Sequence, residues 1–186
     1  MRIQSLALSI ATTIACLTQP AAVAQQAAAP AAPAAAPASA LDAIPEKLPF
    51  NVGYGPAISA QRAQAVIQAA AAEATKRGWP LNIAVVDSGA NLVAFLRMDG
   101  AMLASIPIAQ HKARVSARFR RPTKVFEDAI QKSDYKYILT LDDVIASRGG
   151  IPLIEDGRLI GAIGCSGGTG SQDEEVCTAG AATINK

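Results

Sequence analysis

The stretch from Gly149 to Gly180, GGIPLIEDGRLIGAIGCSGGTGSQDEEVCTAG, constrains the fold more than any other part of the chain. Two apolar runs, Ile151–Ile154 and Leu159–Cys165, flank Glu155-Asp156-Gly157-Arg158. Asp-Gly between apolar runs signals a hairpin, because a type I′ turn needs φ > 0 at both central residues. Ser166-Gly167-Gly168-Thr169-Gly170-Ser171 follows, and then Gln172–Ile184 reads as a helix. Ser171 is its expected N-cap, and Asp173, Glu174 and Glu175 fall in the first turn, where the macrodipole favours negative charge. Strand, glycine loop and helix start together present backbone N–H groups to an anion. The loop nevertheless lacks both GK[ST] and GxGxxG, and the plainer reading is a tight turn that closes the sheet against a helix.

Upstream, Ser59 is placed to cap a helix over Ala60–Arg77 that Gly78 ends. Its apolar face is mostly alanine, which allows close packing. Leu81–Asp87 and Asn91–Met98 are rich in β-formers and joined by Ser88-Gly89-Ala90, giving a second hairpin. Ser105 is expected to cap a helix over Ile106–Phe119, Pro122 breaks it, and Thr123–Lys132 reads as a short helix. Asn51–Pro56 reads as a turn-rich lead-in, Ser133–Leu141 as turn-like, and Asp142–Ser147 as a single helical turn. The order helix, hairpin, helix, helix, hairpin, helix predicts an α+β fold. One antiparallel sheet carries helices on its faces, unlike a βαβ nucleotide fold.

Residues 1–24 have the pattern of a secretory signal peptide: Arg2, an apolar Leu6–Leu17, and Ala22-Val23-Ala24 as an A-x-A site. That apolar run is too short to span a bilayer as a helix. Thr13-Ile14-Ala15-Cys16 lacks the leucine that usually stands three residues before a lipidated cysteine. Residues 25–47 form a linker rich in Ala and Pro, expected as a partly polyproline tether. Residues 48–186 remain as one domain. Removing Arg2 leaves the 17 basic residues only one ahead of the 15 acidic ones, which gives no argument for nucleic acid or an anionic membrane. Without Cys16, the chain keeps Cys165 and Cys177. An even count in an exported protein suggests a disulfide, and two buried thiols are the alternative.

Chemistry has few candidates. His111 is the one histidine, so a Cys/His zinc site is excluded, and neither HExxH nor CxxC occurs. No GxSxG elbow accompanies it; Gly164-Cys165-Ser166-Gly167 is offset from that pattern. Asp142/Asp143 and Asp173–Glu175 suit general acid–base work or helix capping, and Asp87 either caps a turn or lines a site. For His111 there remain a haem axial position, with Lys112, Arg114 and Arg118 near enough to meet propionates, or a plain surface role.

Ile108–Phe119, with its IAxxKAR core followed by Arg121-Pro122-Thr123, resembles the central helix of the GlcG/HbpS family of haem-binding proteins. The closing stretch GGIPLIEDGRLIGAIGCSGGTGSQDEEVCTAGA is similar to that family's terminal signature, and weaker matches extend the likeness over Ile58–Ile184. The resemblance implies a profilin-like α/β/α sandwich with a five-stranded antiparallel sheet, homo-oligomers, and haem or, less so, cobalamin or another tetrapyrrole as ligand. By motif match it carries onto Lys112, Ala113, Gly161, Gly164, Ser166, Gly167, Gln172 and Asp173. Taken with the reading of the residues themselves, the expected binding set is His111, Lys112, Arg114, Ser166, Gly167, Gly168 and Asp173, with His111 as the candidate for the haem iron. Val115-Ser116 stand where the family often has Thr after KAR, and Cys165 and Cys177 replace small apolar residues. The expectation is thus an exported, periplasmic or secreted, oligomeric haem binder without a stable membrane span. A small-molecule or haem-degrading enzyme using Asp173 and Asp87, and a ligand-free assembly protein, are the alternatives.

Overall fold

The computed structural model describes residues 46–48 and 51–185. The expected signal peptide, Cys16 and the expected linker up to residue 45 lie outside the described residues. The elements are β1 (Gly53–Tyr54), α1 (Ala60–Arg77), β2 (Asn82–Asp87), β3 (Leu92–Arg97), α2 (Ser105–Phe119), α3 (Lys124–Ser133), a 3-10 helix (Lys136–Thr140), β4 (Gly150–Glu155), β5 (Arg158–Ser166) and α4 (Gly170–Ala181).

β5 is the axis of the sheet. β4 runs antiparallel along one side of it, and β2 antiparallel along the other, with Asn82 opposite Ser166 and Asp87 opposite Gly161. β3 pairs antiparallel with β2 and forms an edge. The predicted β4–β5 hairpin turns through Asp156 and Gly157, both at positive φ (48° and 72°), as a type I′ turn requires. The lead-in corrects the antiparallel expectation: β1 pairs parallel with the start of β5, Gly53 against Arg158, so the five-stranded sheet is mixed. Its attachment comes from side chains. Tyr54 donates its hydroxyl to the Arg118 carbonyl at 2.7 Å, and Arg120 donates to the Val52 carbonyl at 2.7 Å.

Helices cover both faces. α1 and α4 bury Val66, Ile67, Ala70, Val176 and Cys177 against Ile83, Val85, Ile163 and Cys165. α2 lies on the opposite face, where Ala109, Ala113 and Ala117 meet Ala84, Val86 and Ala162. The small residues on both sides let the backbones approach. A Cβ on Gly164 would stand 2.1 Å from the Ala109 carbonyl oxygen, so only glycine fits beneath α2. A satellite core of Val115, Phe126 and Ile138 holds α3 and the 3-10 helix to the outer flank of α2.

Local expectations hold for α1, capped by Ser59 and ended by Gly78 in the left-handed region. Elsewhere the caps shift. Ser105 is the first helical residue of α2 rather than its cap, and no side chain caps that end. Residues 142–147 form a turn and bends instead of a helical turn, while Lys136–Thr140 within the turn-like stretch winds as the 3-10 helix. α4 starts two residues early: Thr169, not Ser171, is its N-cap. Thr169 Oγ1 accepts from the Gln172 N–H at 3.3 Å, and Gln172 Oε1 accepts from the Thr169 N–H at 2.8 Å, a reciprocal capping box. Thr169→Ala is therefore expected to lower stability by about 1 kcal/mol, and Ser171→Ala to leave it nearly unchanged, in urea denaturation. Equal effects would place the helix start elsewhere.

Candidate functional site

The residues predicted for one site separate into two clusters on different sides of α2. Consecutive helical side chains diverge by about 100°. Lys112 follows the stripe of Ala109, Ala113 and Ser116 into the interior, whereas His111 and Arg114 stand on the outer side, half-buried.

The inner cluster is a buried ion pair. Lys112 is 1% exposed and Asp173 2%, and Lys112 Nζ donates to Asp173 Oδ2 at 2.7 Å. Asp173 Oδ1 accepts from the Gly168 N–H at 3.0 Å. Burial pushes the Asp173 carboxyl up, opposed by the Lys112 charge and by these hydrogen bonds. Gly149, at φ +112°, closes the far side. A Cβ there would lie 2.8 Å from Asp173 Cβ and 3.2 Å from Lys112 Nζ. The glycine loop thus builds an anion site and fills it from within the chain. Gly168 gives its N–H to Asp173, and Thr169 gives its own to the capping box. Ser166, 4% exposed, sits beside this pair at the end of β5. One step along α4, Cys177 lies against Cys165, with Sγ atoms at bonding distance and Cα atoms 5.7 Å apart.

The outer cluster is His111, Arg114, Arg118 and Asp143. The first three are spaced i, i+3 and i+7 on α2, and Asp143 comes from the loop before β4 at a left-handed φ of 60°. Arg118 Nη1 donates to Asp143 Oδ2. His111 Nε2 lies 3.2 Å from Asp143 Oδ1 but outside hydrogen-bond geometry, so this buried nitrogen has no bonded partner. Burial, then the charges of Arg114 and Arg118, hold the imidazole pKa below its ordinary value. A neutral imidazole with a free ring nitrogen is the form that ligates a metal. The sequence offered Asp143 for general acid–base work or helix capping, and no spacing rule would have placed it beside His111.

Asp87, named for the enzymatic alternative, is occupied by its own turn: Oδ1 accepts from the N–H groups of Gly89 (2.8 Å) and Asn91 (2.9 Å). It stands at the end of β2 opposite Gly161, while Asp173 lies near Ser166 at the other end. The two carboxylates therefore cannot share a reacting centre. Among the described residues no group of three or more His, Cys, Asp and Glu side chains is arranged to hold a metal ion, and no helix is long and apolar enough to cross a membrane.

A sheet clothed by α1 and α4 on one face and α2 on the other, closed by a glycine signature and an internal ion pair, defines a small α/β sandwich rather than a βαβ nucleotide-binding fold. The family model described as "Haem degrading protein HbpS-like" matches residues 58–182, and the chain belongs to this family. Protein GlcG of Escherichia coli strain K12 is 40% identical over 109 residues, 59% of this chain and 81% of that one. The crystal structure of a double mutant of Streptomyces reticuli HbpS is 28% identical, covers 83% of this chain and 100% of its own, and superposes with a TM-score of 0.66. The crystal structure of a PduOC:heme complex is 28% identical, covers 69% of this chain and 96% of its own, with a TM-score of 0.63.

Proposed function

We propose that the protein binds haem, or a closely related tetrapyrrole, on the outer face of α2, with His111 as iron ligand. The carrying observation is His111 Nε2: buried, unbonded, and on an imidazole kept neutral by burial and two arginines. Family membership and the haem complex of PduOC support the ligand class. Arg114 and Arg118 flank His111 on the same helix face, where propionates would meet them. Arg118 would exchange Asp143 for a propionate, and Asp143 would swing clear of the iron. Lys112 is assigned a different role from the one the sequence suggested. Its ammonium is committed to Asp173 in the interior, and both residues, with Gly168, hold α2 against the sheet.

A single helix face covers only one side of a macrocycle, whereas ligand sites bury 70–90% of a ligand's surface. A second copy of the chain supplies the other wall in this reading, which makes it a homo-oligomer. Export follows from the signal-peptide pattern, and the Cys165–Cys177 juxtaposition suits an oxidising, periplasmic or extracellular compartment. There the protein would store, sense or sequester haem.

Haem titration of the chain lacking residues 1–24, followed by absorbance, tests the reading. A saturable Soret shift is expected, and His111→Ala should remove the shift and weaken binding at least about tenfold, as for the loss of a strong ligand contact. The same Soret band and affinity in His111→Ala would take His111 out of the site. No saturable shift in the parent chain would remove the tetrapyrrole reading.

A further inference from the structure

A groove at the C-terminal end of α1 takes no part in the haem reading. It consists of two adjoining cavities of about 280 and 290 Å³ that share Gly78, Trp79 and Pro80. The first reaches Met98 and Asp99, just beyond β3. The second reaches Met102 and the glycine loop at Gly167 and Gly168. The end of α1 sets the tryptophan. Gly78, at φ 68°, turns the chain, and the Trp79 N–H donates to the Ala74 carbonyl at 2.9 Å. Gly167 lets the loop close on this segment: a Cβ there would stand 3.0 Å from the Pro80 carbonyl oxygen and from Leu81 Cδ2.

Three features of the groove favour a cation. Among the described residues, Asp99 is the one charged side chain lining either cavity, and its exposed carboxylate makes no hydrogen bond or ion pair there. The first cavity opens at Ala74, Thr75 and Gly78, where the dipole of α1 has its negative end. Trp79 adds a half-buried indole, whose ring faces attract positive charge. The basic residues of that turn are already matched. Lys76 and Arg77 both pair with Glu73, and Arg77 also donates to Glu175 at 2.6 Å. The Arg77 guanidinium lies 5.0 Å from the indole centre, its charge offset by those two carboxylates, while the ring still lines both cavities.

We propose that this groove binds a small organic cation, an alkylated ammonium on a short arm. The head packs on Trp79 and Met98 with its charge toward Asp99, and the arm follows Pro80 toward Met102 and the glycine loop. Alkylation suits the walls. A quaternary ammonium keeps its charge without N–H donors, so an indole and a thioether serve it where a hydrogen-bonding cage would be wasted. Apolar walls with a few placed polar groups are the usual make-up of small-molecule sites. Nothing in this proposal depends on His111 or on haem.

Trp79 is the single tryptophan of the chain, so its emission reports on the groove directly. The probe is choline chloride, titrated at constant ionic strength against sodium chloride, with 3,3-dimethyl-1-butanol as its uncharged isostere. A saturable change in emission is expected with choline. The alcohol should bind about tenfold more weakly, as joint loss of the ring contact to the cation and of the Asp99 attraction predicts. Asp99→Asn should weaken choline about two- to fivefold and leave the alcohol unchanged. Trp79→Leu, followed by calorimetry, should weaken choline at least about threefold, with circular dichroism confirming the fold. Asp99→Asn decides the matter if that variant misfolds, since the carboxylate it replaces is exposed and unpaired among the described residues. His111→Ala should bind choline with unaltered affinity. Equal affinity for choline and the alcohol, no saturation in the parent chain, or parental affinity in Asp99→Asn would each overturn the proposal. So would displacement of choline by haem, which would make the groove part of the haem site.

Discussion

Lys112→Met is expected to destabilise the domain by about 3–5 kcal/mol, the cost of leaving one member of a buried ion pair without its partner. The side chain lost is interior, and among the described residues its counter-charge within bonding distance is Asp173 at 2.7 Å. Solvent cannot step in, because Gly149, Cys165 and the Gly167-Gly168 backbone close the space around the pair. The deficit should also depend on pH. Burial already pushes the Asp173 carboxyl up, and Lys112 supplies the largest opposing pull. Without Lys112 the folded-state value rises further above the unfolded value of about 3.9.

An acid whose pKa is raised by folding binds more protons folded than unfolded between the two values. Stability is then fully present below about pH 4 and is lost as pH rises through the folded value. The Lys112→Met deficit should therefore be smallest near pH 4 and grow toward neutrality. Lys112→Met/Asp173→Asn should flatten that dependence, since the amide carries no charge and its oxygen still accepts from Gly168. Urea midpoints across pH 4–8 measure all three chains. A deficit below about 1 kcal/mol that ignores pH would mean that the pair is not closed off from water.

The same pair shows where the sequence was legible and where it was not. Strand–turn–strand patterns and helix spans came from local chemistry, so α1, both hairpins and α2 stand where periodicity placed them. The spacing of Ala109, Lys112, Ala113 and Ser116 also carried the burial of Lys112, since all four fall on one helical stripe. Chemical type outweighed period there, because a lysine is nearly always expected at the surface. Asp173 misled similarly: a first-turn acid normally answers the macrodipole in water, and here it is folded under the loop. The capping box was written in Thr169-Gly170-Ser171-Gln172, but the serine nearer the acidic run drew the assignment. β1 had no local signature, since two residues joining β5 from a hundred positions away are held by Tyr54 and Arg120 contacts that no period encodes. Asp143 reaches His111 for the same reason, through a loop whose path only the packing of α3 defines.

A Cys165–Cys177 disulfide, which the reading as an exported protein proposes, is expected to cost roughly 3 kcal/mol on reduction, from the entropy of a closed loop with a sequence separation of 12. For a domain of this size the melting temperature should fall by about 10 °C. Both cysteines are fully buried, so dithiothreitol should act slowly on the native protein and quickly in denaturant. Mass spectrometry after alkylation would read the thiol count in each case. Cys165→Ala/Cys177→Ala should reproduce the reduced protein, apart from the small cavities it leaves. The effect should also couple to the ion pair. Asp173 and Cys177 are four residues apart on α4, hence on one face, and each ties that face to the end of β5 or to α2. With the disulfide open, the first turns of α4 lose one clamp, and Asp173 and the capping box carry more of their attachment. Lys112→Met should then cost a different amount in reduced and oxidised protein, by at least about 0.5 kcal/mol, as for contacts that share an element. Strict additivity would show that the two clamps act on independent parts of the helix. Free thiols in protein recovered from an oxidising compartment would show that the two sulfurs are neighbours without being bonded.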